Sequence, residues 1–317
     1  TMKWLDDDAL YREILPAAEK MAVQRVYIDS FWESEKTKRM DGRQIMNMNG
    51  NQCCPHEYDV AEVLGGADAY RKLADEFRSR GIELQSWLGS HQSVNSPLIC
   101  GKDAPYRNQL IRMSNGRHCW KSGYEEIVGM DLNGSFGKMF SRAIVKAARA
   151  TGIKGILYDS FFNFGFMPVN YYHPDPNKLH CTDSGWIRPR TQWRALLRIL
   201  SSWQKAGLHI AIESLGPWGH GQIWVDPSYK RPRREALAYQ CSVGFGNSPI
   251  PADLSSDNHG VSSEMYYRFL ANKAPLVLPH HFNGTRIDRT ANALSLRRMN
   301  LDYRQAADLM YTRTILP

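Results

Sequence analysis

The stretch 152-GIKGILYDSFFNFGF-166 decides how the chain is read. Ile153, Ile156, Leu157 and Tyr158 form a short apolar run that ends on a carboxylate, Asp159. A glycine precedes the run, at the point where the helical pattern of 136–152 stops. Two readings of Asp159 compete. Asp is a good N-cap for a following helix. It is also the residue type found at the C-terminal rim of a barrel strand, where catalytic groups sit.

The same arrangement recurs along the chain. Short apolar runs at 25–32, 82–90, 125–133, 153–160 and 208–216 read as strands. The runs 236–244, 273–279 and 309–316 complete a set of eight. Amphipathic patterns at 68–82, 136–152 and 191–207 read as helices ending on glycine, and another helix is expected within 290–308. Repeated strand–helix units imply a parallel sheet. Eight of them in 317 residues predict an α/β fold, a (β/α)8 TIM barrel, as a single domain over 1–317 that can be part of a longer chain. An open dinucleotide-binding sheet would show a Gly-rich turn after its first strand; here "YIDSFWES" follows instead. The long connections 33–66, 92–124 and 160–190 are expected to be walls of a site.

Composition narrows the function. The chain is 43% apolar, with formal charge +8. No run approaches the roughly 18 apolar residues of a membrane span, so no membrane span is expected. The N-terminal "TMKWLDDDAL" is acidic and polar and does not read as a signal peptide. A mature chain that had lost its signal would look the same, and a secreted or periplasmic location is favoured over a cytoplasmic one. The basic run "YKRPRREAL" (229–237) reads as a solvated loop, so no nucleic-acid partner is expected. None of the six cysteines forms a C-x-x-C pair, which argues against structural zinc.

Asp29, Asp131, Asp159 and Glu213 all fall at the C-terminal ends of expected strands, hence on one rim. Trp32, Trp87, His91, Trp218 and His220 lie near them in sequence. Rings that stack on sugar faces, beside carboxylates that bond hydroxyls and cleave glycosides, describe a carbohydrate site. The same acids could ligate a metal, but no H-E-x-x-H or D-x-D cluster supports it; no metal and no cofactor is expected. Asp257, in "SSDNHG", reads by itself as part of a polar turn.

The order of these motifs resembles glycoside hydrolase family 36 and its clan relatives, the α-galactosidase-like retaining α-glycosidases. Their Asp-Asp-Gly-Trp motif corresponds to "DSFW" (Asp29 to Trp32). The Gly-Leu-Trp motif corresponds to "LQSWLGS" (Trp87), and "LDL" to "GMDLNGS" (Asp131). The nucleophile motif "KWD" corresponds to "LYD" (Asp159), and "E-S-C-x-x-G-G" to "ESLGPWGHG" (Glu213). The acid/base motif "W-x-S-D-N" corresponds to "LSSDN" (Asp257), and a "YP…H" element to "LPHHF" (His281). The resemblance spans residues 25 to 285. It implies a retaining hydrolase of α-glycosidic bonds in oligosaccharide or polysaccharide, with Asp159 as nucleophile and Asp257 as acid/base. The remaining residues would bind substrate. Ser30, Leu157 and Leu215 replace an acid, a lysine and a cysteine that grip galactose in the family, leaving room for another ring or an anionic sugar. A non-catalytic carbohydrate-binding barrel and a metal-dependent hydrolase on the same fold are the alternatives.

Overall fold

The computed structural model describes residues 10–28, 32, 58–62, 65–93, 96–113, 127–158, 180–182, 185–186, 189–212, 250–251, 276–277, 281–282, 285–290 and 293–306. Its centre is a sheet of four parallel strands: β1 (Arg25–Ile28), β2 (Glu83–Leu88), β3 (Gly155–Tyr158) and β4 (His209–Ile212). They pair in chain order, β1–β2–β3–β4, with no reversal. A doubly wound sheet reverses its order at a switch point; these strands do not. A short helix, α1 (Leu15–Lys20), precedes β1. Helices α2 (Gly66–Ser79), α3 (Ser135–Thr151) and α4 (Pro189–Lys205) lie between successive strands and pack on one another in sequence, α2 on α3 and α3 on α4. A last helix, α5 (Ala293–Gln305), lies near the other end of the chain.

One short device sends each helix into its strand. Gly81, Gly152 and Gly207 take left-handed backbone (φ 72°, 75° and 88°), which only glycine adopts without strain. The next residue is apolar and buried in each case: Ile82, Ile153 and Leu208. The Ile82 and Leu208 N–H groups return to the Phe77 and Trp203 carbonyls at 3.0 and 3.1 Å. This closes the helix end, and the apolar residue packs back on its last turn. The expected helix boundaries were therefore set by real stop signals.

Both faces of the sheet are buried. Leu84, Leu88, Ile28, Ile156 and Tyr158 join the helix-side core with Phe77, Phe140 and Trp203. Strand alternation puts Gln85 and Leu157 on the opposite face, and both are fully buried. On that face, near the N-terminal ends, Glu83 accepts from Arg25 Nε at 2.9 Å and Gln85 Nε2 at 3.2 Å. It also reaches His209 Nε2 on β4 at 3.6 Å. Glu83 is two strands from His209. It can span that gap because the intervening residue, in register with His209, is Gly155.

Two further findings concern the eight-strand expectation. The run 125–133 is not a strand of the parallel sheet, since β2 pairs directly with β3. Ile127–Val128 pairs antiparallel with Gln92–Ser93, and Met130 bridges antiparallel to Leu110. Alternating apolar residues are shared by a sheet strand and a local ladder, so periodicity could not separate them. Leu276–Val277, within the expected strand 273–279, pairs parallel with Ile250–Pro251. The expected strands 236–244 and 309–316 lie outside the described residues. At the chain's two ends, Lys20 meets the buried Asp288 at 3.3 Å, Asn300 Nδ2 donates to the Met21 carbonyl, and Arg304 to that of Val23. Asp288 and two residues of α5, Asn300 and Arg304, thus bond to the lead-in to β1.

Candidate functional site

β2, β3 and β4 end level with one another: Leu88 pairs with Tyr158, and Tyr158 with Ile212. β1 stops two residues lower, Ile28 pairing with Ser86. In sequence Asp29, Asp159 and Glu213 follow directly on Ile28, Tyr158 and Ile212. These three, with Trp218, His220 and Asp257, lie outside the described residues. Trp87 is in β2, with Leu157 as its register partner. His281 pairs antiparallel with Arg286 in a short ladder.

Below and beside the strand ends lies a buried polar layer. The Tyr158 ring packs 6.3 Å from the Trp203 ring on α4, and its hydroxyl shares a 2.5 Å hydrogen bond with Ser90 Oγ. Gln92 Nε2 donates to Tyr58 Oη at 2.5 Å, and Trp32 Nε1 to Ser86 Oγ at 3.1 Å. His91 is buried among them, 3% exposed. These bonds tie Trp32 to β2 and Ser90 to the end of β3, and join the segment around 58 to Gln92. Trp32 itself is 1% exposed and edge-on to Tyr58. It is a packing group and offers no open face, so the stacking expected of Trp32 is not available in this arrangement.

Asp131 occupies a turn before α3 rather than the end of a parallel strand. Its Oδ1 accepts the Asn133 N–H at 2.9 Å, and its own N–H goes to the Gln109 carbonyl at 2.9 Å. Burial pushes its carboxyl above the ordinary aspartate value, against the opposing bond from Asn133. Two glutamines hold this turn. Gln192 of α4, 1% exposed, donates Nε2 to the Met130 carbonyl at 2.7 Å and accepts the Leu132 N–H at Oε1 at 3.0 Å. It therefore grips the backbone on both sides of Asp131. Gln109 Oε1 accepts the Phe136 N–H at 2.8 Å, serving a helix start that has no side-chain cap of its own.

Sequence reasoning singled out neither glutamine, nor Tyr58, Ser90 or Gln92. One signal was present for part of the layer. "LQSWLGSHQS" carries Gln85, Ser86, Ser90 and Gln92 in a strand region whose two faces are buried, and a polar residue there has to bond within the protein. Gln192 gave no such signal, because its partners are backbone groups 60 and 62 residues away.

No protein-family model matches the chain, and no curated protein matches it by sequence. Solved structures share its fold. The α-galactosidase from Lactobacillus brevis aligns over 96% of this chain and 39% of its own, with TM-score 0.60 and 12% identity. The family 36 α-galactosidase AgaA from Geobacillus stearothermophilus aligns over 94% and 40%, with TM-score 0.55 and 12% identity. A noncanonic maltogenic α-amylase, AmyB from Thermotoga neapolitana, aligns over 91% and 70%, with TM-score 0.55 and 13% identity. The chain thus has a fold like that of these glycosidase domains, a distant structural likeness. It spans about two fifths of their length.

Proposed function

We propose that the chain is the catalytic barrel of a retaining α-glycoside hydrolase. Asp159 is the nucleophile and Asp257 the general acid/base. The observation that carries the reading is the orientation of β3. Tyr158, the last residue of β3, turns its ring toward α4, and strand alternation gives Leu157 before it the opposite face. Gln85 shares that buried face with Leu157; in the proposed barrel it would be the interior, toward which Asp159 would project. A nucleophile needs a rigid mount, and β3 has a paired strand on each side. The fold likeness to α-galactosidases, the unbroken strand order, and the bonds from Asp288, Asn300 and Arg304 to the lead-in to β1 support closure of the barrel.

Asp159 would attack the anomeric carbon while Asp257 protonates the departing oxygen. Water would then hydrolyse the glycosyl-enzyme, with Asp257 as base. Asp29, Trp87, His91, Asp131, Glu213, Trp218, His220 and His281 would shape the pocket, with Trp32 as a support. The substrate is an oligosaccharide or polysaccharide, as for the family 36 enzyme from Geobacillus stearothermophilus, whose variants were solved with raffinose and stachyose.

A panel of aryl α-glycosides tests this. Asp159→Asn is expected to abolish turnover on every substrate. Asp257→Asn is expected to keep activity on glycosides with good leaving groups, which need little protonation, and azide should rescue its second step. Product stereochemistry should show retention, for which the two carboxyls stand about 5 to 5.5 Å apart. Full activity in Asp159→Asn, or inverted product, would overturn the assignment.

A further inference from the structure

Helices α3 and α4 carry eight basic residues and no acidic one over their full lengths. On α3, Lys138, Arg142, Lys146 and Arg149 are all exposed; on α4, so are Arg194, Arg198 and Lys205. Their spacing of mostly four residues stacks them into one stripe per helix. Both helices precede a strand of the same parallel sheet, so they run side by side in the same direction. The 2.8 Å bond between Ser141 and Ser202 fixes their level. At that level the two stripes overlap over about 9 Å and together span about 24 Å, at 1.5 Å per residue.

This is not how the chain builds its other helical surface. On α2 the charges alternate in sign, and Arg78 pairs with Asp75 and Arg80 with Glu76. The α3 and α4 stripes instead place like charges at i and i+4, as in Lys138/Arg142, Arg142/Lys146 and Arg194/Arg198. Such pairs destabilise a helix. Among the described residues the stripes make one ion pair, Lys146 with Asp59 at 3.8 Å, both largely exposed. Arg198 bonds a neutral group, Asn133 Oδ1, at 3.0 Å. Repulsion of this kind is relieved by a polyanion laid across both helices, which displaces the counterions.

We propose that the outer face of α3 and α4 is a docking surface for an acidic polysaccharide, sulfated or carboxylated, separate from the strand-end site. Among the described side chains the surface shows neither of the features that single-stranded nucleic acid and membranes use. Single-stranded nucleic acid is held by exposed aromatic platforms, and a membrane surface takes an apolar face. Among the described residues the one exposed large apolar side chain is Leu294, on α5. The choice of a glycan rests on the glycosidase reading, while the charge argument stands without it.

The test is titration of the 317-residue chain with labelled dextran sulfate and polygalacturonate at rising salt, with duplex DNA and phosphatidylserine vesicles as rivals. The wild type is expected to bind the glycans with steep salt dependence. The variant carrying Lys138→Gln, Arg142→Gln, Lys146→Gln, Arg194→Gln and Arg198→Gln should bind at least tenfold more weakly at low salt. Its log–log salt slope should be shallower by about 3.5, at roughly 0.7 per neutralised charge on a single-chain polyanion. Its melting temperature should not fall, because repulsion has been removed. Arg297→Gln/Arg298→Gln on α5 should bind as wild type, and so should Asp159→Asn, which separates docking from turnover. Equal binding by the stripe variant, no glycan binding at low salt, or tighter binding of DNA or vesicles would each overturn the proposal.

Discussion

Gln192 makes two hydrogen bonds to one stretch of backbone, and its side chain is buried where it makes them. Removing its amide leaves the Met130 carbonyl and the Leu132 N–H without their partner, at about 1–3 kcal/mol for each unsatisfied group. Gln192→Ala is therefore expected to lower the urea midpoint clearly while leaving the slope unchanged. Gln192→Glu is the sharper variant. Its carboxylate still accepts from Leu132 but faces the Met130 carbonyl without a proton. Protonation restores the donor, so the introduced carboxyl has a folded-state pKa above its unfolded value. The stability it contributes is then fully present at low pH and lost as pH rises. The defect relative to wild type should shrink as pH falls toward the ordinary carboxylate value and be smallest below it. A gap that is constant with pH in urea titrations would refute this account of the clamp.

At the level of the element, β3 is shaped by what it omits. A Cβ at position 155 would lie 2.6 Å from the Gln85 side chain, which is fully buried and would have to shift. Gly155→Ala is expected to destabilise by about 1–3 kcal/mol through overpacking. Gln85→Ala in the same chain should recover part of that, because the two sites share one space. The gap at Gly155 also lets Glu83 reach His209. Burial pushes the Glu83 carboxyl up, but the close approach of His209 and the hydrogen bond and charge of Arg25 outweigh it and hold it at about 2, against an ordinary value of 4.5. A lowered folded-state pKa contributes stability that is fully present above the ordinary value of 4.5 and is lost as pH falls toward about 2. Wild type and Glu83→Gln should differ most near neutral pH and converge at the acid end in urea titrations.

For the whole molecule, the join between the two ends of the described chain matters most. Asp288 accepts from Arg286 through both oxygens and from Lys20. The Arg286 bonds and the Lys20 contact hold its carboxyl at about 2 despite its burial. Its contribution likewise fades as pH drops from the ordinary aspartate value toward about 2. Asp288→Asn is expected to cost about 2 kcal/mol, typical of hydrogen bonds to a charged group. It should also make residues 285–306 more open to protease while the four-stranded sheet stays protected from hydrogen exchange. Uniform loss of protection would mean that the seam and sheet unfold as one unit.

The sequence by itself determined the alternation of strands and helices, the glycine stops at 81, 152 and 207, and the parallel sheet. These rest on local chemistry: a left-handed residue after each helix, an apolar residue next to it, and side-chain periodicity along the chain. It also put Asp29, Asp159 and Glu213 one residue past three strand ends. Only the tertiary structure decided that 125–133 leaves the sheet for an antiparallel ladder, since strand partners are set by long-range pairing that an alternating pattern does not encode. The same holds for Trp32, whose indole is drawn into the core by Ser86 and Tyr58, and for the Gln192 clamp. Each depends on groups that come together only when distant segments pack, and a side chain's burial is a property of its neighbours in space.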